Sequence, residues 1–280
     1  MATIPPGPSS PPRAGRSARP ARPARTGLAV GVVGAVTLAA ALALALSGCG
    51  EPGTTRPLGA ALARQVAGPK FTPPIPGQVA KTTELATVRR AAPRYASPGR
   101  LATGTVPASW YQRPSVLPVI AVKPGWVEVR LAQRPDGSTA WLPASDVRLS
   151  TTPYQIVVDL ATTRLSLFDH GRLVFSAPAG VGTTDDPTPT GQYFVAFDEP
   201  PPEPNPGYGP FILVTSAHSP TISDWEGSGD AVIGIHGPLG EDSEIGTSGA
   251  KISHGCIRLH DHALEQLAKV PPGTPIDIVH

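Results

Sequence analysis

The run Ser253-His254-Gly255-Cys256-Ile257-Arg258-Leu259 carries the residue types most suited to chemistry. A cysteine attacks a carbonyl as the thiolate, and an unperturbed thiol is mostly protonated at neutral pH, so Cys256 needs a base. His236 stands upstream, with Gly237 to Ile252 between it and Ser253. A histidine within hydrogen-bond reach takes the thiol proton and later returns it to a leaving amine. The base in turn needs a group that fixes its tautomer. Gly255 lets a substrate approach the backbone closely, and the neighbouring amides are candidates for an oxyanion site. If the run is extended, His254, Cys256 and Arg258 share one face while Ile257 and Leu259 point to the core. By the same alternation Ile233 and Ile235 point inward and His236 projects from the other side of its strand. Two strands then present a thiol and an imidazole to one cleft.

Other chemistries fit less well. His254 reads as a satisfied structural histidine rather than a second base, and His260 and His262 as exposed residues at a helix start. A metal site is the sharpest rival, because His236, His254, Cys256, His260 and His262 are all ligand types. No His-Glu-x-x-His motif occurs, however, and a Cys–His pair needs no metal. No metal and no cofactor are therefore expected, and no nucleic-acid partner.

The elements that must position these groups are mostly strands. Gln155 to Asp159, Gln192 to Phe197, Phe211 to Ser216, Ala231 to His236 and Pro275 to Val279 read as strands. Arg164 to Phe168 and Arg172 to Ser176 flank Asp169-His170-Gly171 as a hairpin. One helix is expected, capped by Asp261, with Ala263, Leu264, Leu267 and Ala268 on one stripe. The Pro-rich stretch Pro200 to Pro210 is a loop of unusual length, expected to border the cleft as a stiff lid. An all-β sandwich with one short helix follows for residues 151–280.

Residues 79–150 read as a separate small β module. Trp126-Val127-Glu128-Val129-Arg130-Leu131 alternates, Arg134-Pro135-Asp136-Gly137-Ser138 is hairpin chemistry, and Thr139-Ala140-Trp141-Leu142 returns. Core packing is the expected role of both tryptophans. Charge divides the same way: residues 50–150 hold 13 basic and 5 acidic side chains, residues 151–280 hold 5 and 16. Before the module, residues 49–78 are rich in Pro, Gly, Ala and Thr and read as a tether.

The amino-terminal stretch is an export signal. Arg13, Arg16, Arg19, Arg22 and Arg25 precede an uncharged apolar run from Leu28 to Leu46, followed by Leu46-Ser47-Gly48-Cys49. The run is long enough to serve instead as an uncleaved anchor. Small residues directly before a cysteine resemble a bacterial lipoprotein signal, which implies cleavage after residue 48, a lipid on Cys49 and a place on the outer face of the cytoplasmic membrane. Both readings export the rest of the chain. With Cys49 lipidated, Cys256 has no cysteine partner, which marks a reactive thiol.

The spaced pair His236-Gly237 and Ser253-His254-Gly255-Cys256, with Thr188-Pro189-Thr190-Gly191 ahead of a central strand, resembles the L,D-transpeptidase (YkuD-type) catalytic domain over residues 153–279. Cys256-Ile257-Arg258-Leu259 is similar to the arginine-containing version of that motif. The resemblance implies Cys256 as nucleophile, His236 as its base and the carbonyl of Gly237 as the group that orients it. It places the oxyanion site at the amides of His254, Gly255 and Cys256, and gives Ser253 and Arg258 the task of shaping the site or holding a substrate carboxylate. The implied reaction joins two peptidoglycan tetrapeptide stems, donor and acceptor, through a thioester, with release of D-alanine and a 3→3 cross-link. Acylation of Cys256 by carbapenem-type β-lactams is implied too. Hydrolysis from the same site, an L,D-carboxypeptidase, needs the same residues. A wall-binding lipoprotein without catalysis is a further alternative. Gly125-Trp126-Val127-Glu128-Val129 and Gly137 to Leu142 resemble a bacterial SH3-like domain. Ser216-Ala217-His218-Ser219 is assigned no firm role.

Overall fold

The computed structural model describes residues 78–280 except positions 206 and 248. The segment 1–48 expected to direct export, Cys49 and the stretch through residue 77 expected to act as a tether lie outside the described residues.

The alternation in the first half becomes a sheet with one dry face. Its strands are β1 (Thr83–Val88), β2 (Ala92–Tyr95), β3 (Ala102–Val106), β4 (Ser109–Trp110), β5 (Arg113–Pro114), β6 (Val116–Lys123), β7 (Trp126–Arg130), β8 (Thr139–Pro143) and β9 (Val147–Thr152). Seven of them form one sheet in the order β3-β2-β8-β7-β6-β1-β9, while β4 and β5 pair only with each other. Val127 and Val129 alternate inward from β7 and are fully buried. The turn between β7 and β8 places Gly137 at φ +81°, where glycine is favoured. Trp141 is buried as expected, but Trp126 is only half-buried, edge-on to Tyr95 with ring centroids 5.0 Å apart.

The second half continues with β10 (Tyr154–Asp159), β11 (Arg164–Asp169), β12 (Arg172–Pro178), β13 (Val181–Gly182), β14 (Gly191–Glu199), β15 (Ile212–His218), β16 (Val232–His236), β17 (Lys251–Ser253), β18 (Ile257–Arg258) and β19 (Pro275–Val279). Eight of these build a single mixed sheet, β12-β11-β10-β19-β14-β15-β16-β18, in which β10–β19 and β16–β18 are parallel pairs. The expected sandwich of two facing sheets is thus one curled sheet. The curl lets Ile156, Leu165 and Leu167 from one end share a core with Leu213, Ile235 and Ile257 from the other. Leu264 and Leu267 close that core from α1 (Asp261–Leu264) and the 3₁₀ turn after it. Asp261 is the first helical residue, not the cap: His260 holds the cap position and makes no side-chain capping bond.

One strand joins the two halves. Tyr193 and Val195 of β14 face the core of the curled sheet, while Phe194, Ala196 and Phe197 enter the core of the first sheet together with Val214 of β15. A strand buried on both faces reads as an unbroken apolar run, which is what Tyr193-Phe194-Val195-Ala196-Phe197 is. The register shift between Val195 and Phe197 turns Phe197 to the same side as Val214.

Candidate active site

The outer face of β14, β15 and β16 forms the floor of a cavity of about 300 Å³. Register fixes which side chains meet there. Phe197 opposes Val214, and Val214 opposes Gly234. In the adjacent row Glu199 opposes Ile212, and the Leu213–Ile235 pair brings Ile212 level with His236. These residues share one face by the two-residue period, whereas Leu213 and Ile235 point into the core.

Cys256 reaches this floor from a bend, not from the straight strand expected. β17 stops at Ser253, the chain turns at His254-Gly255, and β18 resumes at Ile257. Gly255 sits at φ +118°, and a Cβ there would meet Ile233 Cδ1 at 2.8 Å. The Ser253 hydroxyl accepts the Gly255 N–H at 3.1 Å and donates to the Cys256 carbonyl at 2.6 Å, closing the turn. Thr188 braces it from outside by donating to the Gly255 carbonyl at 2.7 Å. The Gly255 amide is therefore engaged within the turn. The amides of His254 and Cys256 have no protein partner among the described residues. The bend sets the Cys256 sulfur against β16, where the Gly234 N–H donates to Sγ at 3.3 Å. The thiol is free, and burial pushes it up in pKa against the pull of that amide and of Arg258. Ile257 and Leu259 are fully buried, as the alternation required.

His236 lies two residues beyond Gly234 on the same face of β16, roughly 7 Å along the strand. It is buried, and its Nδ1 bonds to the Gly237 carbonyl at 2.8 Å. A carbonyl accepts only, so Nδ1 carries the proton and Nε2 keeps the lone pair. Burial drives the imidazole down to about 4, the Gly237 carbonyl partly opposes this, and the nearby Arg258 adds to it. At neutral pH the ring is an uncharged base. Gly237 has a second use. The loop between β14 and β15 crosses so close that a Cβ on Gly237 would lie 2.6 Å from Gly209 N and 2.7 Å from Gly207 O. The Gly237 N–H donates to Tyr208 O at 2.7 Å, and the Tyr208 ring lies 5.0 Å from the His236 ring. Asn205 stiffens the loop by accepting from the amides of Gly207 and Tyr208. The Pro200–Pro210 loop thus borders the cavity, with Tyr208 in its wall.

Arg258 is buried beside the same cavity. One guanidinium nitrogen pairs with Glu241, and its Nε is a buried donor without a partner among the described residues. His254 is exposed in the cavity wall, tilted against Trp225 with centroids 5.5 Å apart, and it forms no hydrogen bond among the described residues. It is not the satisfied structural histidine expected. His260 bonds Asp242 at 2.7 Å and stacks on His262. Among the described residues no three His, Cys, Asp or Glu side chains converge in the way a metal site requires.

Sequence reasoning missed the residues that arrive from far along the chain. Tyr111, between β4 and β5, lines the cavity. Trp225, in the loop before β16, lines it too. That loop is gripped by the first sheet. His218 is buried with Nδ1 2.7 Å from Asp136 and Nε2 3.3 Å from Asp230, and Arg134 reaches Asp230, Ser219 O and Ile222 O. The basic first half and acidic second half offered the sign of the Arg134–Asp230 contact but not its partners, and for Asp136 with His218 not even the sign.

Residues 153–278 match the YkuD family, the L,D-transpeptidase catalytic domain. The protein designated L,D-transpeptidase YkuD in Bacillus licheniformis is 36% identical over 129 residues, 46% of this chain and 67% of that protein. Its Bacillus subtilis counterpart is 32% identical over the same shares. Among solved structures, the catalytic domain of the E. faecium L,D-transpeptidase acylated by ertapenem aligns over 45% of this chain and 95% of that one, at 22% identity and a TM-score of 0.34.

Proposed function

From the premise that this chain belongs to the L,D-transpeptidase (YkuD) family, we propose that it joins peptidoglycan stems by 3→3 cross-links through a thioester on Cys256. The observation that carries the reading is the pairing of a free thiol with an uncharged imidazole whose tautomer is fixed by Gly237, in one cavity. As a tetrapeptide stem binds, His236 Nε2 takes the Cys256 proton while Sγ attacks the carbonyl of the third stem residue. The amides of His254 and Cys256 meet the developing oxyanion. The tetrahedral intermediate collapses, the C–N bond to D-alanine breaks, and His236 returns the proton to the leaving amine. A side-chain amine of a second stem then attacks the thioester, giving its proton to His236, and the thiol is regenerated as the amide forms. Both pKa shifts favour a neutral thiol–imidazole pair in the free site. Arg258, which lines the cavity, is the cation placed to hold a substrate carboxylate, and Ser253 acts by holding the turn.

Incubating the full-length protein with tetrapeptide stems and weighing the products tests this. A product with the mass of two stems less one D-alanine supports cross-linking. Tripeptide alone makes the protein an L,D-carboxypeptidase, with water as the acceptor. Untouched stems end the proposal. The same chemistry predicts a covalent carbapenem adduct on Cys256 in intact-mass measurements, absent in Cys256→Ala.

Export and a lipid on Cys49 belong to this reading, motivated by Leu46-Ser47-Gly48-Cys49 after an apolar run. They place the enzyme on the outer face of the cytoplasmic membrane. A fatty-acid probe should label the wild type and not Cys49→Ser; equal labelling would favour a plain membrane anchor. Residues 79–150 are assigned as an SH3-like module on the Trp126 to Trp141 hairpin.

A further inference from the structure

The cavity extends well past the thiol. Crossing the floor from Cys256, the row Gly234–Val214–Phe197 leads over two strand spacings, roughly 10 Å, to the far wall. The floor between is apolar, with Ile212 and Val214 facing up. At the far side Phe197 stands beside Glu199, two residues on and on the same face of β14. Glu199 lines the cavity, is half-exposed and makes no ion pair among the described residues.

Tyr111 completes this wall from the first sheet. It is 55% exposed, yet its ring packs 5.1 Å from Trp110 and 6.0 Å from Phe197. It is held there by a two-residue turn between β4 and β5 in which Tyr111 and Gln112 both have positive φ, +47° and +63°. Such turns normally take Asn or Gly, so two larger residues in this geometry are strained. The strain is maintained by packing on Trp110 and delivers an aromatic ring to a catalytic cavity built by another sheet.

The geometry points to a side-chain subsite at this end of the cavity, one that takes an aliphatic chain tipped with an amine: the side chain of the donor stem's third residue. With that residue's carbonyl at Cys256, its methylenes lie on Val214 and Ile212 against Tyr111 and Phe197, and its amine meets the Glu199 carboxylate. An aliphatic stem with an ammonium tip has the polarity order this wall presents, apolar floor first and carboxylate after it. Tyr111 and Glu199 are positioning residues for the donor, and the first sheet is part of the substrate site. The inference rests on the transpeptidase reading above.

Two donor stems separate the contributions, one with lysine at the third position and one with norleucine, which lacks only the amine. D-alanine release is measured for the full-length wild type, Glu199→Gln, Tyr111→Ala and Tyr111→Phe. Alkylation of Cys256 by iodoacetamide, which needs no stem, serves as the control. The wild type should prefer the lysine stem about tenfold in kcat/KM, and Glu199→Gln should abolish that preference. Tyr111→Ala should lower kcat/KM for both stems about fivefold through KM, with Tyr111→Phe close to wild type. Alkylation should be unchanged throughout. A preference that survives in Glu199→Gln, or Tyr111→Ala matching wild type on both stems, overturns the subsite. So does a parallel loss of alkylation in Tyr111→Ala, which would make the residue a support for the thiol. A wild type that alkylates readily but releases D-alanine from neither stem refutes the transpeptidase reading itself, and the subsite with it.

Discussion

Two histidines are equally hidden in this protein and differ in what their ring nitrogens meet. His236 bonds a backbone carbonyl through Nδ1, leaving Nε2 without a protein partner among the described residues. His218, one strand away, has a carboxylate oxygen on each side, Asp136 at 2.7 Å and Asp230 at 3.3 Å. A carbonyl fixes a tautomer and leaves a lone pair to use. Two carboxylates engage both nitrogens and leave nothing for a substrate. Burial alone therefore does not separate the proposed base from a structural histidine; the identity of their partners does.

The sharpest break in this comparison is removal of the rings. Cys256→Ala should abolish D-alanine release, a loss of about 10⁴-fold or more. His236→Ala should cost about 10²- to 10⁴-fold with little change in folding. His218→Ala should instead lower Tm by several degrees, because it empties a buried position and removes the ring that Asp136 and Asp230 flank, and leave the iodoacetamide rate of Cys256 near wild type. Loss of thiol reactivity in His218→Ala without loss of Tm would erase the distinction.

Gly237→Ala probes the carbonyl side. Its Cβ would collide with loop backbone at Gly207 to Gly209, so either the loop or the peptide that orients His236 must move. A shift of about 1 Å at the proposed base can cost about 10²-fold, and kcat/KM should fall by that order. A variant with wild-type kinetics would show that the loop yields without disturbing the ring.

The pH dependence of stability sharpens the contrast further. The folded-state pKa of His236, about 4, lies below its ordinary value of 6.5. Between those values the unfolded chain binds the proton and the folded chain does not. Stability is therefore full above pH 6.5 and falls toward pH 4, by an amount on the order of 3 kcal/mol from this group. His236→Gln should flatten that part of the Tm-against-pH curve; an unchanged slope would assign the acid sensitivity to other groups. The smallest effect is expected for Arg134→Gln. Its bridge to Asp230 is partly exposed and contributes about 1 kcal/mol or less.

Much of this was legible locally. The strands around Val127, Ile156 and Ile235 follow from alternation, and the cysteine–histidine spacing pointed to two residues that line one cavity. The bend at His254-Gly255 was not legible, because alternation assumes an extended chain, and Gly255 at φ +118° with Ser253 bonded across it makes a turn instead. The length of the Pro200–Pro210 loop signalled a cavity border, and Tyr208 lies there. Tyr111 and Asp136 had no signal at all. Each meets its partner across some 80 residues of chain, and no periodicity records such a pairing.

The place of β19 has a kinetic consequence. It lies between β10 and β14, and Gln155 bonds Asp277 across 122 residues. The β10–β12 meander can form early from local contacts, but it joins β14, β15 and β16 only through this late strand. Closing so long a loop precedes any return in contact energy, so the domain should fold slowly, on the millisecond-to-second scale of non-local β topologies. Until then β10 and β14 are open edges, able to pair with the wrong chain.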